Sequence, residues 1–256
     1  MIFLEFKGKC VVITGAAGKI GRRMVEEFAK RGAYLIILDL NKEALFELKE
    51  KLNAIYPHPV ITVQVDIRDP EQVKRAFENI RKEVNSVDIL INNAGVNNFS
   101  PALQITEDIW NNIIDVNLKG AFFVSQQCAT AMVAGKGGVI INIASQHGVV
   151  GNINRAAYCA SKAGLINLTR ALSVEWAKFN IRVNSISPTF VHDETDSLNN
   201  QYLTSTTIKR EFLSKIPLRR YAKPEDVVNA TLYLASDMAN MITGHNLVID
   251  GGWTAI

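Results

Sequence analysis

Tyr158 and Lys162 stand four residues apart, a spacing that places both side chains on one face of a helix. A free tyrosine has a pKa of about 10 and is therefore a poor base at neutral pH. A lysine ammonium beside the phenol stabilises the phenolate and lowers that pKa. The pair predicts a general acid/base for exchange between an alcohol and a ketone, although a Tyr/Lys pair at this spacing is also common in ordinary surface packing.

Ser145 follows a predicted strand over Val139–Ile143 and precedes Tyr158 in the chain. Its hydroxyl can hydrogen-bond a substrate oxygen and stabilise negative charge that develops there. Gln146 and His147 would face the same cavity, His147 either as a substrate contact or as an ordinary polar residue of the rim. We therefore predict a reaction centre built on Ser145 and Tyr158.

A glycine-rich turn, Thr14-Gly15-Ala16-Ala17-Gly18-Lys19-Ile20-Gly21, lies between the first predicted strand and the first predicted helix. Glycines at this place let the backbone approach a pyrophosphate, and the helix N-terminus offers unpaired N–H groups. Ile13 and Ile20 stand where an ATP-binding P-loop needs glycine and Ser or Thr, which excludes that motif. A tight turn without a ligand is the alternative.

Asp39 ends the second predicted strand, where a carboxylate can accept hydrogen bonds from both hydroxyls of an adenosine ribose. Its charge would repel a 2′-phosphate, and the neighbouring Leu40 offers no cation, so the sequence favours NAD over NADP. Lys19, Arg22 and Arg23 keep the alternative open, because one of them can reach a phosphate. Asp39 can also act as the N-cap of the next helix.

The elements that must position these residues follow from the alternation of short apolar runs with helical patterns. Such alternation predicts parallel strands joined by right-handed crossovers, with helices on both faces of the sheet. We predict an α/β fold: a Rossmann-like, doubly wound parallel sheet of about seven strands in a single domain over 1–256. The predicted strands are Cys10–Thr14, Tyr34–Leu38, Val60–Val65, Val87–Ile91, Val139–Ile143, Ile181–Ile186 and Leu247–Ile249. The predicted helices are Ile20–Lys30, Asn41–Leu52, one that starts at Asp69-Pro70, a long stretch from about Thr106 to Val133, Arg155–Phe179 and Pro224–Leu234.

Composition excludes several classes of protein. The chain has 256 residues, 48% of them hydrophobic, and a net charge of +3, which excludes a disordered tail, a collagen or a disulfide-stapled miniprotein. So small a charge gives no reason to expect a nucleic-acid or membrane partner. The spacings of Cys10, Cys128 and Cys159 match neither a disulfide framework nor a metal motif, and the N-terminus does not resemble a signal peptide. We expect a cytoplasmic protein without a metal site.

These motifs, taken together, resemble the short-chain dehydrogenase/reductase family in its short, single-domain branch, over about Lys7 to Trp253. The resemblance implies that Tyr158 is the acid/base, that Ser145 orients the substrate oxygen, and that Lys162 lowers the pKa of Tyr158 and holds the nicotinamide ribose. It also implies that Asn117 holds a water linking Lys162 to solvent, and that the protein is a homotetramer. The matching pieces are the glycine turn, Asp66-Ile67, Asn92-Asn93-Ala94-Gly95, Asn117, Ser145, Tyr158 with Lys162, Ile181–Pro188, Thr243-Gly244 and Asp250-Gly251-Gly252.

The resemblance also assigns the remaining cofactor contacts. Asp66 and Ile67 would bracket the adenine ring, and the backbone of Val191 would contact the carboxamide. The residues predicted to bind the cofactor are Gly15, Gly18, Lys19, Ile20, Gly21, Asp39, Leu40, Asp66, Ile67, Asn93, Ala94, Gly95, Tyr158, Lys162 and Val191. The residues predicted to contact substrate are Ser145, Gln146, His147, Tyr158 and Thr189.

Two positions depart from the family pattern. Lys19 stands where the short branch has a glycine, so that the turn has the spacing of the longer branch of the same superfamily, and Lys19 is either solvated or a pyrophosphate contact. Thr189 follows Pro188 where a glycine is usual. Its β-branched side chain either stiffens the backbone, which we favour, or adds a hydroxyl to the pocket.

The function expected from the sequence is NAD-dependent hydride transfer between nicotinamide and a secondary alcohol or ketone. The family's substrate lid falls at about 190–216, and its polar composition favours a sugar, polyol or sugar acid. One alternative is an NADPH-dependent 3-oxoacyl thioester reductase, which uses the same catalytic residues. An alternative of another class is a non-catalytic NAD-binding regulator.

Overall fold

The computed structural model describes residues 5–192 and 212–255. Its seven strands form one parallel sheet in the order β3-β2-β1-β4-β5-β6-β7. The strands are β1 (Cys10–Thr14), β2 (Tyr34–Asp39), β3 (Val60–Gln64), β4 (Ile89–Asn92), β5 (Gly138–Ile143), β6 (Ile181–Pro188) and β7 (Asn246–Ile249). The predicted doubly wound, Rossmann-like domain is confirmed. The predicted lid at about 190–216 lies mostly outside the described residues.

Helices cover both faces of the sheet, because the strands are apolar on both sides. They are α1 (Lys19–Lys30), α2 (Lys42–Asn53), α3 (Pro70–Glu83), α4 (Glu107–Ile114), α5 (Ala121–Ala134), α6 (Ala156–Trp176) and α7 (Pro224–Ala235). On β1, Val11 and Ile13 pack into the core beneath α1, α2 and α7, whereas Val12 packs into the core beneath α3, α5 and α6. The two cores fix the sheet, and therefore the loops at its carboxyl edge.

The start of α3 shows how local chemistry sets an element boundary. Asp69 caps the helix by accepting hydrogen bonds from the backbone N–H groups of Glu71 at 2.9 Å and Gln72 at 3.2 Å. Pro70 takes the first helical position. A backbone N–H at this position has no acceptor within the helix, so proline, which lacks that N–H, loses no helical hydrogen bond. The boundary predicted from these two residues is confirmed.

The long helix predicted from Thr106 to Val133 is interrupted. Residues Asp115–Gly120 form a π-helical segment between α4 and α5. A π turn inserts one extra residue without ending the helix, so the helical stretch continues on both sides of it. Within this segment Asn117 is completely buried, and Gly120 lies so close to the β3–α3 loop that a Cβ there would sit 2.8 Å from the Ile67 carbonyl oxygen.

Candidate active site

Two adjoining clefts open at the carboxyl edge of the sheet, near the switch point between the neighbouring strands β1 and β4, where the strand order reverses. One, the Asp39 cleft, has a volume of about 770 Å³, and the other, the Tyr158 cleft, about 320 Å³. Ile20, Asn93, Gly95, Val96 and Val191 line both. Sites at this switch point are typical of doubly wound sheets, because loops from the two halves diverge there.

The Asp39 cleft collects most of the residues predicted to bind a cofactor. It is lined by Gly15, Gly18, Lys19, Ile20, Asp39, Leu40, Asp66, Ile67, Asn93, Ala94, Gly95 and Val191. Tyr158 and Lys162 line the other cleft instead. Gly21 lies inside the turn, where an added Cβ would come within 2.1 Å of the Gly15 carbonyl oxygen.

The glycine turn gives the cleft an anion-binding end. Gly15 has φ +61°, and a Cβ there would meet the Ala94 backbone at 2.7 Å, so this position requires glycine. α1 begins at Lys19 with no side-chain cap and no acidic residue in its first turn, which leaves its N–H groups and positive dipole end for an anion. The cradle fits the pyrophosphate of a dinucleotide.

Asp39 holds this turn in place through both carboxylate oxygens. One oxygen accepts from the Ala17 N–H at 3.0 Å, and the other accepts from the Asn41 N–H at 3.0 Å. The N-cap of α2 is Asn41, whose side chain accepts from the Ala44 N–H, so the alternative of Asp39 as the N-cap is wrong. The carboxylate therefore lies fixed at the rim of the cleft.

Three of the cations near the cleft already have partners. The Arg22 Nε donates to the Ala17 carbonyl at 2.8 Å, and Arg23 pairs with Glu26 and with Glu225. Arg68, which sequence reasoning overlooked, pairs with Asp66 at 2.6 Å and holds the pKa of that carboxyl below its ordinary value. Lys19 also lines the cleft and makes contacts of its own.

Asn93 and Thr14 join β1 and β4 beneath the clefts. The Thr14 hydroxyl accepts from the backbone N–H groups of Asn93 and Ala94, both at 3.1 Å, and the Asn93 amide donates to the Gly15 carbonyl at 2.9 Å. These bonds lock the glycine turn to the strand on the other side of the switch point.

The Tyr158 cleft brings together all five residues predicted to contact substrate: Ser145, Gln146, His147, Tyr158 and Thr189. Ser145 follows β5, and its Oγ accepts from the His147 N–H at 3.1 Å, so its hydroxyl proton can be donated to an oxygen in the cleft. Lys162 lies one helical turn after Tyr158, with Nζ at 5.8 Å from the centre of the phenol ring. That ammonium donates to the Ile143 carbonyl at 2.8 Å.

Asn117 lines neither cleft, but its hydrogen bonds connect the loop after β4 to α6, the helix that carries Tyr158 and Lys162. Its Oδ1 accepts from the Val96 N–H at 2.8 Å, and its Nδ2 donates to the Ser161 hydroxyl at 3.0 Å. Ser161, overlooked in the sequence, donates in turn to the Tyr158 carbonyl at 2.8 Å. A Cβ on Gly95 would lie 3.3 Å from Asn117 Oδ1 and 3.4 Å from Lys162 Nζ, so this position favours glycine.

Burial controls the ionisation of the reaction centre. It lowers the pKa of Lys162 to about 8. Burial also raises the pKa of Tyr158, against the lowering influences of a hydrogen bond with Ser145 and of the Arg155 charge. The lowering expected from Lys162 is thus not what this structure gives, because desolvation of the phenolate dominates and the cation that opposes it is Arg155.

His147 is a neutral hydrogen-bond donor in this cleft. Burial, with the Arg155 charge, lowers its pKa to about 4. The Asn152 Oδ1 accepts from the Ile153 N–H at 2.8 Å, which turns the Asn152 amide nitrogen toward the His147 Nε2 at 3.3 Å. Because that amide nitrogen only donates, Nε2 accepts and Nδ1 carries the proton, buried and without a partner among the described residues.

Gln146 and Thr189 also line the Tyr158 cleft and have buried polar atoms without a partner among the described residues. Both oxygen and nitrogen of the Gln146 amide, and the Thr189 hydroxyl, are buried without a partner in the described part of the chain. Such groups are rare in native proteins unless a ligand or water satisfies them. Thr189 itself lines the cleft.

Arg155 is the main feature of the cleft that sequence reasoning missed. It was assigned only to the start of a helix, yet it stands three residues before Tyr158 and therefore on the same helix face. It is 5% exposed, and its guanidinium lies 3.8 Å from the centre of the Phe99 ring. The three-residue spacing between Arg155 and Tyr158 is the sequence feature that could have indicated this position in the cleft.

Two other kinds of site are not found in the described residues. Over 5–192 and 212–255, no three His, Cys, Asp or Glu side chains are grouped so as to hold a metal ion. Over the same ranges, no helix has the length and apolarity needed to cross a membrane.

Comparison with known proteins identifies the family. The profile of a family described as enoyl-(acyl carrier protein) reductase matches residues 15–254. The fold and the arrangement of the two clefts agree with that match. The chain belongs to the short-chain dehydrogenase/reductase family, and it is an oxidoreductase that acts on CH–OH groups with NAD(P).

Individual relatives differ in substrate and cofactor. The chain is 38% identical over 246 residues to an NAD-dependent glycerol dehydrogenase from Listeria innocua, covering 96% of this chain and 94% of that protein. It is 36% identical over 250 residues to a 3-oxoacyl-(acyl-carrier-protein) reductase from Thermotoga maritima, covering 97% and 99%. The crystal structure of a gluconate 5-dehydrogenase from Burkholderia cenocepacia, in complex with NADP and tartrate, superposes with a TM-score of 0.92 at 28% identity, covering 99% and 98%.

Proposed function

We propose that the protein is an NAD-dependent dehydrogenase of small, polar, hydroxylated substrates: a sugar, a polyol or a sugar acid. The observation that carries the proposal is the polar lining of the Tyr158 cleft by Gln146, His147 and Thr189, which have buried polar atoms without a partner among the described residues, around Ser145 and Tyr158. A polar lining of this kind favours a substrate with hydroxyl groups, because an apolar substrate would leave such groups unsatisfied at about 1–3 kcal/mol each. A glycerol dehydrogenase and a gluconate 5-dehydrogenase among the relatives support it.

The residues divide the reaction between them. When bound, NAD(P) supplies the hydride acceptor. To take the proton of the substrate hydroxyl as the hydride leaves the carbinol carbon, Tyr158 must be a phenolate, a form that the Arg155 and Lys162 charges and an oxidised nicotinamide would favour against burial. Ser145 donates its hydroxyl proton to the same substrate oxygen. Lys162 supplies positive charge next to Tyr158 and a donor for the nicotinamide ribose, while Asn117 positions this helix through Ser161.

Replacement of Tyr158 by phenylalanine tests this mechanism. NADH affinity should stay unchanged, because the ring is kept, while turnover should fall by about 10²-fold or more, since the phenol oxygen that exchanges the proton is lost. Tyr233→Phe, on the half-exposed face of α7, is the matched control and should keep full activity. Retained activity in the Tyr158 variant would contradict the mechanism.

The preference for NAD rests on Asp39 and on the engagement of the nearby cations Arg22, Arg23 and Arg68. A 2′-phosphate would meet the Asp39 carboxylate at close range, where like charges disfavour binding. Fluorescence titration should give a Kd for NADH at least about tenfold lower than for NADPH. Tighter binding of NADPH would refute the assignment.

A 3-oxoacyl thioester reductase is the second candidate, favoured by the Thermotoga maritima relative. A third, the non-catalytic regulator, is disfavoured because Ser145, Tyr158 and Lys162 converge in one cleft. NADH absorbance measured with polyols, sugar acids and hydroxyacyl thioesters separates the three. Oxidation of thioesters alone would favour the second candidate, and no turnover of any substrate the third.

We also propose a cytoplasmic homotetramer in which residues 1–256 form one dinucleotide-binding domain with a substrate lid at about 190–216. Support comes from the family resemblance and from three unpaired cysteines, Cys10, Cys128 and Cys159. Light scattering of the purified protein should give four times the chain mass; a monomeric mass would contradict it.

A further inference from the structure

The Tyr158 cleft contains a buried cation, Arg155, that has no anionic partner among the residues that the structure describes. Arg155 is 5% exposed, its Nε has no hydrogen-bond partner, and it forms no ion pair within the described ranges 5–192 and 212–255. Burial of a charge is strongly unfavourable unless it is paired, and arginine stays protonated at neutral pH even when burial lowers its pKa, as it does here. The unpaired charge therefore needs an explanation.

Aromatic rings fix the orientation of this cation. The guanidinium lies 3.8 Å from the centre of the Phe99 ring and 5.8 Å from that of Phe190. Stacking uses the face of the planar group and leaves its in-plane N–H donors free. Such a fork matches two oxygens of a carboxylate or a phosphate.

The surrounding charges favour an anion at this place. Within the described part of the chain, the residues lining the Tyr158 cleft include the cations Arg155 and Lys162 but no Asp or Glu. Arg155 also occupies the N-cap of the 21-residue helix α6, whose first turn has no acidic residue, so the positive end of the helix dipole adds to the same potential.

The cation is close to the reaction centre. Its central carbon lies 5.6 Å from the centre of the Tyr158 ring, so a group bound by Arg155 would stand only a few bonds from the carbon that reacts. The cleft volume of about 320 Å³ is that of about ten water molecules in the liquid, which suits a small molecule.

We propose that Arg155 binds an anionic oxygen group of the substrate, and that the substrate class is therefore a small hydroxylated acid rather than a neutral polyol. This rests on the proposed function and narrows it. A carboxylate and a phosphate ester can both bind the guanidinium through two oxygens, and substrates that carry one or the other group distinguish them.

The test uses substrates that differ only in the anionic group. NAD⁺ reduction is followed with threonate against threitol and gluconate against glucitol, and with glycerol 3-phosphate against glycerol. The ratio of kcat/KM for acid over polyol should be about 10- to 100-fold in the wild type, since hydrogen bonds to a charged group are worth that factor. A preference confined to glycerol 3-phosphate would identify the anion as a phosphate.

Variants assign the preference to the guanidinium. Arg155→Met should lower the acid/polyol ratio at least about tenfold, and Arg155→Lys should retain part of it, because it keeps the charge but not the fork. Because the acid/polyol ratio compares two substrates of the same variant, an effect of the substitution on Tyr158 that is common to both substrates cancels. Arg170→Met, the same substitution on the exposed face of α6, is the matched control and should leave the ratio unchanged. Equal losses for both members of a pair would overturn the proposal.

A measurement of anion binding tests the Arg155 site independently of the proposed dehydrogenase activity. Malonate has no hydroxyl or ketone to exchange a hydride, so its calorimetric titration into the NADH-loaded protein reports anion binding alone. Binding to wild type that weakens at least about tenfold in Arg155→Met would uphold the anion site even if no panel substrate turned over. Turnover of neutral polyols without malonate binding or acid preference would refute the anion site while leaving the dehydrogenase in place.

Discussion

Lys162 is needed for chemistry but is expected to destabilise the fold. It is 4% exposed, and burial lowers its pKa from 10.5 to about 8. Each pKa unit corresponds to about 1.4 kcal/mol, so the charged lysine destabilises the folded protein by about 3 kcal/mol. Lys162→Met removes the charge and the destabilisation that it causes. It also removes the hydrogen bond to the Ile143 carbonyl, and this loss lowers the free energy of unfolding by about 1 kcal/mol. The variant should lose turnover and gain about 2 kcal/mol in free energy of unfolding at pH 7, or about 4–8 °C in Tm.

The gain should depend on pH. Below about pH 8 the lysine is charged in both the folded and the unfolded chain, and its unfavourable effect is fully present. As pH rises from about 8 towards 10.5, the folded protein binds fewer protons than the unfolded chain, so the unfavourable effect is progressively lost. The advantage of Lys162→Met should therefore shrink towards zero by about pH 10.

Denaturant unfolding of the cofactor-free proteins at pH 7 and pH 10, at equal protein concentration, measures this difference. Comparison of variant with wild type at each pH cancels the other titrating groups. Lys74→Met, at an exposed position of α3, is the control and should show no such trend. A variant less stable than wild type at pH 7, or a difference that stays constant with pH, would refute the reasoning.

Three further substitutions test the scaffold. Gly21→Ala should weaken NADH binding at least about tenfold, because its Cβ would lie 2.1 Å from a carbonyl oxygen of the turn, whereas Gly151→Ala, with open space around it, should not. Phe77→Ala should reduce the free energy of unfolding by about 3–5 kcal/mol in a denaturant titration, and leave NADH affinity unchanged, because this fully buried ring lines neither cleft. Ser161→Ala should lower kcat more than NADH affinity in steady-state assays, because it removes the hydroxyl that links the Asn117 amide to α6.

The scaffold was predictable where one local signal decides the outcome. Strand β1 coincides with the predicted Cys10–Thr14, and α3 begins where Asp69 and Pro70 predict. The π-helical segment was not predictable, because it depends on contacts made by Asn117 and Gly120 with loops distant in sequence.

The site was predictable to the extent that its residues form motifs. The five predicted substrate contacts do converge on one cleft. The role of Arg155 was missed because its significance lies in what surrounds it, a stacked ring and the lack of a described carboxylate, and neither is visible along the chain. The pKa of Tyr158 differed from expectation for the same reason, since burial depends on the whole fold.

Asp39 has two roles, one in the proposed choice of dinucleotide and one in holding the glycine turn, and together they limit how the dinucleotide preference can evolve. The side chain proposed to distinguish two dinucleotides also holds the Ala17 and Asn41 N–H groups, so a single change at this codon alters selectivity and disturbs the turn together. A descendant that switched dinucleotide would need a second, compensating mutation for the freed N–H groups, and its one-step intermediate would bind either dinucleotide poorly. Selection would remove that intermediate, so dinucleotide preference should drift far less among descendants than substrate preference.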